Sequence, residues 1–72
     1  MREVVKTLTA GNVWKVLVKP GDVVRPGDTL FIMEVMKMEV AHTASVDGTV
    51  VVVHITEGQE GLEPDVDAVE IE

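Results

Sequence analysis

The residue with the clearest potential for chemistry is Lys37, which stands between two methionines within Ile32–Val40. Strand-forming residues run up to Val35 and resume at Met38, and no Gly, Pro, Asn or Asp lies between them. A two-residue hairpin turn there would need positive φ at its central residues, which Met and Lys tolerate poorly. Residues that are unfavourable for the local backbone conformation are often found at functional sites, so we expect a function at this turn. We therefore interpret Lys37 as a modification site on a rigid β scaffold, with the flexible methionines as an adaptable contact surface.

Other residue types that carry chemistry do not assemble into a site. His42 and His54 are far apart in sequence and have no acid at ligand spacing, so we expect structural or surface roles and no metal site. No Ser-His-Asp arrangement can be built. We interpret Gly11, Gly21, Gly27 and Gly58 as turn glycines, which precede no predicted helix and so form no phosphate-binding loop. Trp14 has no basic aromatic surroundings, and we expect it to be partly buried packing and not a stacking platform.

The composition indicates one small all-β domain covering residues 1–72. The chain has no Cys, is 46% hydrophobic, and 25 of its 72 residues are β-branched Val, Ile or Thr. Branching at Cβ favours strands and restricts rotamers in helices. Such a short chain has little room for an enclosed active site, so we expect a non-catalytic protein.

The net charge of -7 is carried by the last 16 residues. Residues 57–72 hold seven acids and no base, whereas residues 1–56 hold six of each, so we expect the Lys37 tip to be near charge balance. An acidic end argues against nucleic acid and against an anionic membrane surface. It favours a solvated face, with a docking surface for a basic partner as the alternative. No signal peptide or membrane-length apolar run is present, so we expect a cytoplasmic location.

Turn residues divide the chain into short strands at the spacing of a small sandwich or barrel. The predicted strands are Val13–Val18, Val23–Val24, Thr29–Val35, Met38–Thr43, Thr49–Ile55 and Asp67–Ile71, with a further candidate at Glu3–Leu8. No sustained 3.6-residue period occurs, so no helix is predicted. Met33 is expected in the core.

The two halves of the chain also resemble each other. Gly11, Val13, Val16 and Gly21 match Gly48, Val50, Val53 and Gly58 at an offset of 37. After one inserted residue near Glu60–Gly61, Val24, Pro26, Phe31 and Met33 match Leu62, Pro64, Val69 and Ile71 at an offset of 38. This predicts two interlocked units about a pseudo-twofold axis. The second half is the looser copy, because Asp65 stands where the first half has Gly27.

The segment Glu34-Val35-Met36-Lys37-Met38 resembles the Glu-Ala-Met-Lys-Met signature of biotin carboxyl carrier domains. The resemblance covers essentially the whole chain, including both Pro-Gly-Asp turns and Asp47-Gly48, and it is to the stand-alone biotin/lipoyl attachment proteins. It implies a flattened β-sandwich (a barrel-sandwich hybrid) of two four-stranded antiparallel sheets, with Lys37 at a hairpin tip.

The resemblance also implies a function. Biotin would be joined to Lys37 through an amide, and its ureido nitrogen would carry a carboxyl group between two enzyme sites. Implied partners are biotin protein ligase and the biotin carboxylase and carboxyltransferase subunits of an acetyl-CoA or other acyl-CoA carboxylase, as in fatty acid biosynthesis. We expect a monomer when the chain is isolated. The residues that the ligase would read are Glu34, Val35, Met36 and Met38.

Two departures from the signature and two other functions stay open. Val35 replaces the usual Ala, and Pro64-Asp65 replaces a glycine turn, which puts the packing of the last strand in question. A lipoyl carrier of a 2-oxo acid dehydrogenase complex would share the fold, but lipoyl domains usually have Asp-Lys-Ala at the lysine. An unmodified β-module used only for docking is the other alternative.

Overall fold

A computed structural model describes residues 2–72, and its architecture is all-β. The strands are β1 (Glu3–Lys6), β2 (Asn12–Val16), β3 (Val23–Val24), β4 (Thr29–Val35), β5 (Met38–Thr43), β6 (Gly48–Val53) and β7 (Asp67–Ile71). No helix occurs within these residues, which confirms the predicted fold class. The predicted bounds of β3, β4, β5 and β7 match, whereas β1, β2 and β6 end two residues early. Beyond β2 and β6 only isolated bonds continue the pairing, such as Leu17 N–H to the Leu30 carbonyl at 2.9 Å.

The strands form two antiparallel sheets that differ in strand number. One has the order β1-β7-β6-β3 and the other β2-β4-β5. The expectation of two four-stranded sheets is therefore wrong for the second sheet. Its fourth position is reduced to one bridge, in which Leu62 exchanges bonds of 2.9 and 3.0 Å with Gly11. The reason is Gly61, which stands where the first half has Val23 but has a φ of 73°, outside the extended region.

The pseudo-twofold relation between the halves holds at the level of single hydrogen bonds. Gly21 N–H donates to the Val50 carbonyl at 2.8 Å, and at an offset of 37 Gly58 N–H donates to the Val13 carbonyl at 2.9 Å. The register of β2 shifts at Val13/Lys15 and that of β6 at Val50/Val52, again 37 residues apart. Equivalent β-bulges bend both strands at the same level. The repeat seen in the sequence is thus a repeat of backbone geometry.

Asp65, which replaces a glycine in the second half, adopts the same left-handed backbone conformation as its counterpart Gly27. Its φ is 68°, against 93° for Gly27. Asp is among the few non-glycine residues that visit this left-handed region. The doubt about the last strand is resolved, because Ala68, Val69 and Ile71 of β7 are all buried.

The core lies between the two sheets. Its largest fully buried side chains are Phe31, Leu30, Met33, Ile71, His42, Val13, Val50 and Val69, which confirms the expectation for Met33. The His42 ring stacks on Phe31 with centroids 4.3 Å apart. Thr7, also buried, donates its hydroxyl to the Glu63 carbonyl at 2.7 Å and accepts from Val66 N–H at 2.9 Å.

Within residues 2–72 no helix is long and apolar enough to cross a membrane.

The ends of the described chain lie together, at the opposite end of the molecule from the β4–β5 hairpin. Arg2 forms ion pairs with Glu70 at 3.1 Å and Glu72 at 3.0 Å. Asn12 pairs with Glu34 beside the hairpin, and β2 then runs away from it. At the far end, Gly21 bonds to Val50, and the neighbouring Thr49 bonds to Glu72. By the pseudo-twofold relation, the chain ends occupy the place of a second hairpin.

Candidate functional site

Met36 and Lys37 form the whole turn between β4 and β5. Val35 pairs with Met38 across the hairpin, which leaves two residues to reverse the chain. Their φ values are 51° and 66°. Positive φ at both central residues is what a type I′ turn requires, and the right-handed twist of the strands favours such turns. The turn therefore has the positive φ values that the sequence led us to expect, and they occur at two residue types that usually avoid positive φ.

The tip presents its side chains to solvent. Met36 is 92% exposed and Met38 69% exposed, and Lys37 is also exposed. No carboxylate among residues 2–72 forms an ion pair with Lys37. The amine therefore projects from a two-residue turn with no salt bridge to restrain it.

The other two residues of the signature lie directly below the turn on β4. Glu34 is exposed and pairs across the sheet with Glu39 of β5, so two carboxylates face solvent side by side. Val35 is half-buried and packs against the core cluster. The structure thus brings Glu34, Met36 and Met38 together on the exposed tip and turns Val35 partly inward. The branched Val35 side chain is accommodated there, because it packs against the core beneath the turn.

Gly11, the residue before β2, lies in close contact with the hairpin. A Cβ on Gly11 would lie 2.6 Å from the Glu34 carbonyl oxygen and 2.9 Å from Val35 Cγ2, both too close. The sequence indicated a turn glycine, and that interpretation is wrong for Gly11. Its φ is not positive, whereas Gly21, Gly27 and Gly58 do have positive φ as expected. Gly11 is required for close approach to β4, and its match with Gly48 was the one available signal.

Part of the acidic C-terminal segment lies alongside β2, the strand that pairs with β4 of the lysine hairpin. Gly61 N–H donates to the Asn12 side chain at 3.1 Å, and Val16 N–H donates to a Glu57 carboxylate oxygen at 3.3 Å. Residues 57–63 therefore run along the free edge of β2, and Asn12 pairs with Glu34. This segment contains three of the seven C-terminal acids, Glu57, Glu60 and Glu63. The near balance of charge at the Lys37 tip stays a prediction.

The two histidines have separate structural and surface positions. Leu8 N–H donates to His42 Nε2 at 3.0 Å, and His42 Nδ1 lies 3.3 Å from the Val40 carbonyl, so the neutral ring carries its proton on Nδ1. Burial lowers the pKa of His42 and outweighs the opposing effect of the Val40 carbonyl. His54 Nε2 lies 2.6 Å from a Glu70 carboxylate oxygen. No group of three metal-ligating side chains occurs within the described residues.

Trp14 is more exposed than expected. The indole is 44% exposed, and the Lys15 ammonium lies 5.7 Å from its ring centroid. Trp14 occupies the bulge of β2, where the register shifts between Val13 and Lys15. Because the bulge adds a residue without a cross-strand partner, alternation along β2 did not predict which way this side chain faces.

With this geometry in view, the family can be stated. Residues 3–66 match the biotin/lipoyl family, described as "biotin-requiring enzyme". The chain belongs to this family of biotin/lipoyl attachment domains, which are carriers and not catalysts.

Three curated relatives are similar to the chain. The biotin/lipoyl attachment protein of Bacillus subtilis is 46% identical over 57 residues, which are 79% of this chain and 78% of that protein. The biotin carboxyl carrier protein of Streptococcus mutans is 45% identical over 49 residues, 68% of this chain and 38% of that protein. The acetyltransferase (dihydrolipoyllysine-residue) component of the pyruvate dehydrogenase complex of Mycoplasma capricolum is 45% identical over 53 residues, 74% and 12% respectively. The chain thus spans well under half of the last two.

Solved structures show the same fold. A single-chain, multi-domain long-chain acyl-CoA carboxylase matches with a TM-score of 0.85 at 27% identity, over 99% of this chain and 7% of that one. The urea carboxylase of Kluyveromyces lactis matches at 0.83 and 30% identity, over 96% and 6%. The lipoyl domain of the 2-oxoglutarate dehydrogenase complex of Azotobacter vinelandii matches at 0.72 and 23% identity, over 90% and 82%. The last likeness concerns the fold alone.

Proposed function

We propose that Lys37 is the attachment site of biotin and that the chain is a biotin carboxyl carrier. The observation that carries the proposal is the turn itself, in which a methionine-flanked lysine projects from a positive-φ, two-residue tip. An amide bond to biotin requires an amine that a ligase can reach on all sides. The exposed and unpaired Lys37 fits that requirement.

The chain's own residues would mount and present the group. The β4–β5 hairpin holds the lysine away from the sandwich, with Gly11 bracing it and Val35 filling the space below. When attached, biotin supplies a ureido nitrogen that accepts and releases a carboxyl group. The tether raises the local concentration of that group at each partner site. Glu34, Val35, Met36 and Met38 form the surface that we propose the biotin protein ligase reads.

The partners in this proposal are a biotin carboxylase and a carboxyltransferase, with the chain as their non-catalytic carrier. Support comes from the Streptococcus relative, named as a biotin carboxyl carrier protein, and from the two carboxylase structures that share the fold. Acetyl-CoA is the first acceptor to test, and the cytoplasm is the proposed compartment.

A lipoyl carrier is the second candidate. The Mycoplasma relative, a component of a pyruvate dehydrogenase complex, is as similar in identity as the Streptococcus protein. The fold does not separate the two, since a lipoyl domain also matches. The methionines on both sides of Lys37 favour biotin, because lipoyl domains usually have Asp and Ala there.

The test is intact mass measured after incubation of the purified chain with biotin protein ligase or with lipoate ligase. We expect one biotinyl group with the first enzyme and none with the second. Lys37→Arg should abolish the addition, while Lys15→Arg, another exposed lysine, should leave it unchanged. Lipoylation alone would move the assignment to the second candidate. No acylation by either enzyme in excess would indicate an unmodified docking module.

A further inference from the structure

The three methionines among residues 2–72 fall into two sharply different environments. Met36 and Met38, on either side of Lys37, are 92% and 69% exposed. Met33, on the same hairpin, is 0% exposed. Large apolar side chains are costly to hold in water, and both exposed thioethers lie on the surface that a modifying enzyme must contact. Exposure also leaves both sulfur atoms open to oxidants.

We propose that Met36 and Met38 are a peroxide-sensitive pair whose oxidation blocks acylation of Lys37. This inference rests on the proposed function, because it concerns recognition of the same lysine by its ligase. The oxidant is a hydroperoxide, with hydrogen peroxide as the simplest case. The two oxidisable residues are exposed because of the hairpin geometry. Met36 lies in the turn itself, outside the sandwich, and Met38 is the first residue of β5.

The chemistry is a two-electron oxygen transfer. A lone pair of the methionine sulfur attacks one peroxide oxygen, an S–O bond forms and the O–O bond breaks. With hydrogen peroxide, the other oxygen leaves as hydroxide and takes the proton from the sulfur-bound oxygen, which forms water. The sulfur is oxidised to a sulfoxide and the peroxide is reduced, so one peroxide is consumed for each methionine.

Oxidation changes what a partner meets at the tip. A thioether is apolar and adaptable, whereas a sulfoxide is polar and a strong hydrogen-bond acceptor. A ligase that buries these side chains would have to desolvate the new oxygen without a donor placed for it. That penalty corresponds to a slowing of about tenfold or more. The fold itself would be unaffected, because neither side chain contributes to the buried core.

The first experiment maps the oxidation. The folded, unacylated chain is treated with hydrogen peroxide, and sulfoxides are located by peptide mass. We expect Met36 and Met38 to react at least about tenfold faster than Met33, and all three to react alike in denaturant. Equal rates for Met33 and Met36 in the folded chain would overturn the proposal.

The second experiment measures acylation rates before and after peroxide. We expect oxidised wild type to be biotinylated about tenfold more slowly or worse, and methionine sulfoxide reductase to restore the rate. Met36→Leu/Met38→Leu keeps apolar side chains of similar size that do not oxidise, and its rate should not respond to peroxide, each protein being compared with its own untreated sample.

An unchanged rate in oxidised wild type would refute the inference while leaving the proposed function intact. If untreated wild type were not biotinylated at all, the proposed function would fail first, and the inference about the ligase with it. The two failures are therefore distinguishable in the same assay.

Discussion

At the scale of single residues, the turn shows a preference for function over stability. Met36 and Lys37 both hold positive φ, where a side chain costs roughly 1–2 kcal/mol per residue. An Asn-Gly pair would make the same turn at lower cost. Two unfavourable residues in one turn indicate that their side chains are needed there, because the backbone alone would select others.

Replacing Met36 by Asn should therefore stabilise the protein and slow its acylation. Asn tolerates left-handed backbone, so we expect the free energy of unfolding in urea to rise by about 0.5–1 kcal/mol. The acylation rate of Lys37 should fall, because one of the two exposed thioethers is lost.

Met38→Asn is the matched control. It makes the same side-chain change at a strand position, where Asn is disfavoured, and should lower stability slightly. Equal stability shifts in the two variants would contradict this account of the turn.

At the scale of elements, His42 joins β5 to the segment that follows β1. Its Nε2 accepts the Leu8 amide proton, and its ring stacks on Phe31. The hydrogen bond from Leu8 requires an unprotonated Nε2, and burial lowers the pKa of His42, which favours that neutral form. The junction between the two sheets is thus sensitive to a proton.

The pH dependence of stability follows from this shift. The unfolded chain binds a proton at His42 near the ordinary value of 6.5, and the folded chain binds it only at lower pH. Because the unfolded state holds more protons, stability rises with pH. The contribution is complete above about pH 6.5 and is lost as the pH falls towards the folded-state pKa.

Urea unfolding at several pH values between about 7.5 and 5.5 measures this dependence. His42→Gln keeps an acceptor for Leu8 N–H but does not titrate, so its stability should decline less steeply than that of wild type. The interpretation would be wrong if His42→Gln and wild type declined in parallel.

The sequence predicted strands well where local chemistry decides them. The bounds of β4 and β5 were predicted correctly, because β4 is apolar on both faces and β5 alternates. The lysine tip was predicted because the chain must turn between these strands at Met36 and Lys37, which are poorly suited to positive φ. Features set by distant contacts were missed: the bracing role of Gly11, the exposure of Trp14 in a bulge, and the reduction of one strand to Leu62. Each depends on which backbone lies alongside, and periodicity carries no information about that.

At the scale of the whole molecule, the internal repeat provides equivalent positions in the two halves, so a substitution in one half can be compared with the matching substitution in the other. Gly48 is the counterpart of Gly11, and a Cβ there would lie 2.6 Å from Ile71 Cγ2 and 2.7 Å from the Glu72 carbonyl oxygen. The two glycines meet the same kind of obstacle, a backbone oxygen and a branched side chain. Only Gly11 lies beside the lysine hairpin.

Gly11→Ala and Gly48→Ala should accordingly destabilise the protein by similar amounts, about 1–3 kcal/mol each. The two variants should differ in the rate at which Lys37 is acylated. With the variants compared at a temperature where both are folded, Gly11→Ala should slow acylation of Lys37 by displacing β4, and Gly48→Ala should not. Thermal unfolding and ligase kinetics on the same samples provide the two measurements. Equal slowing would mean that the brace acts through global stability alone.

The paired ends of the chain have a practical consequence. Arg2 and Glu72 are held side by side, and the lysine turn lies at the other end of the sandwich. A linker, an anchor or a whole neighbouring protein fused to either end would therefore emerge away from the turn and leave its approach open. This geometry is compatible with attachment of the domain through either end while Lys37 faces away from the attachment point.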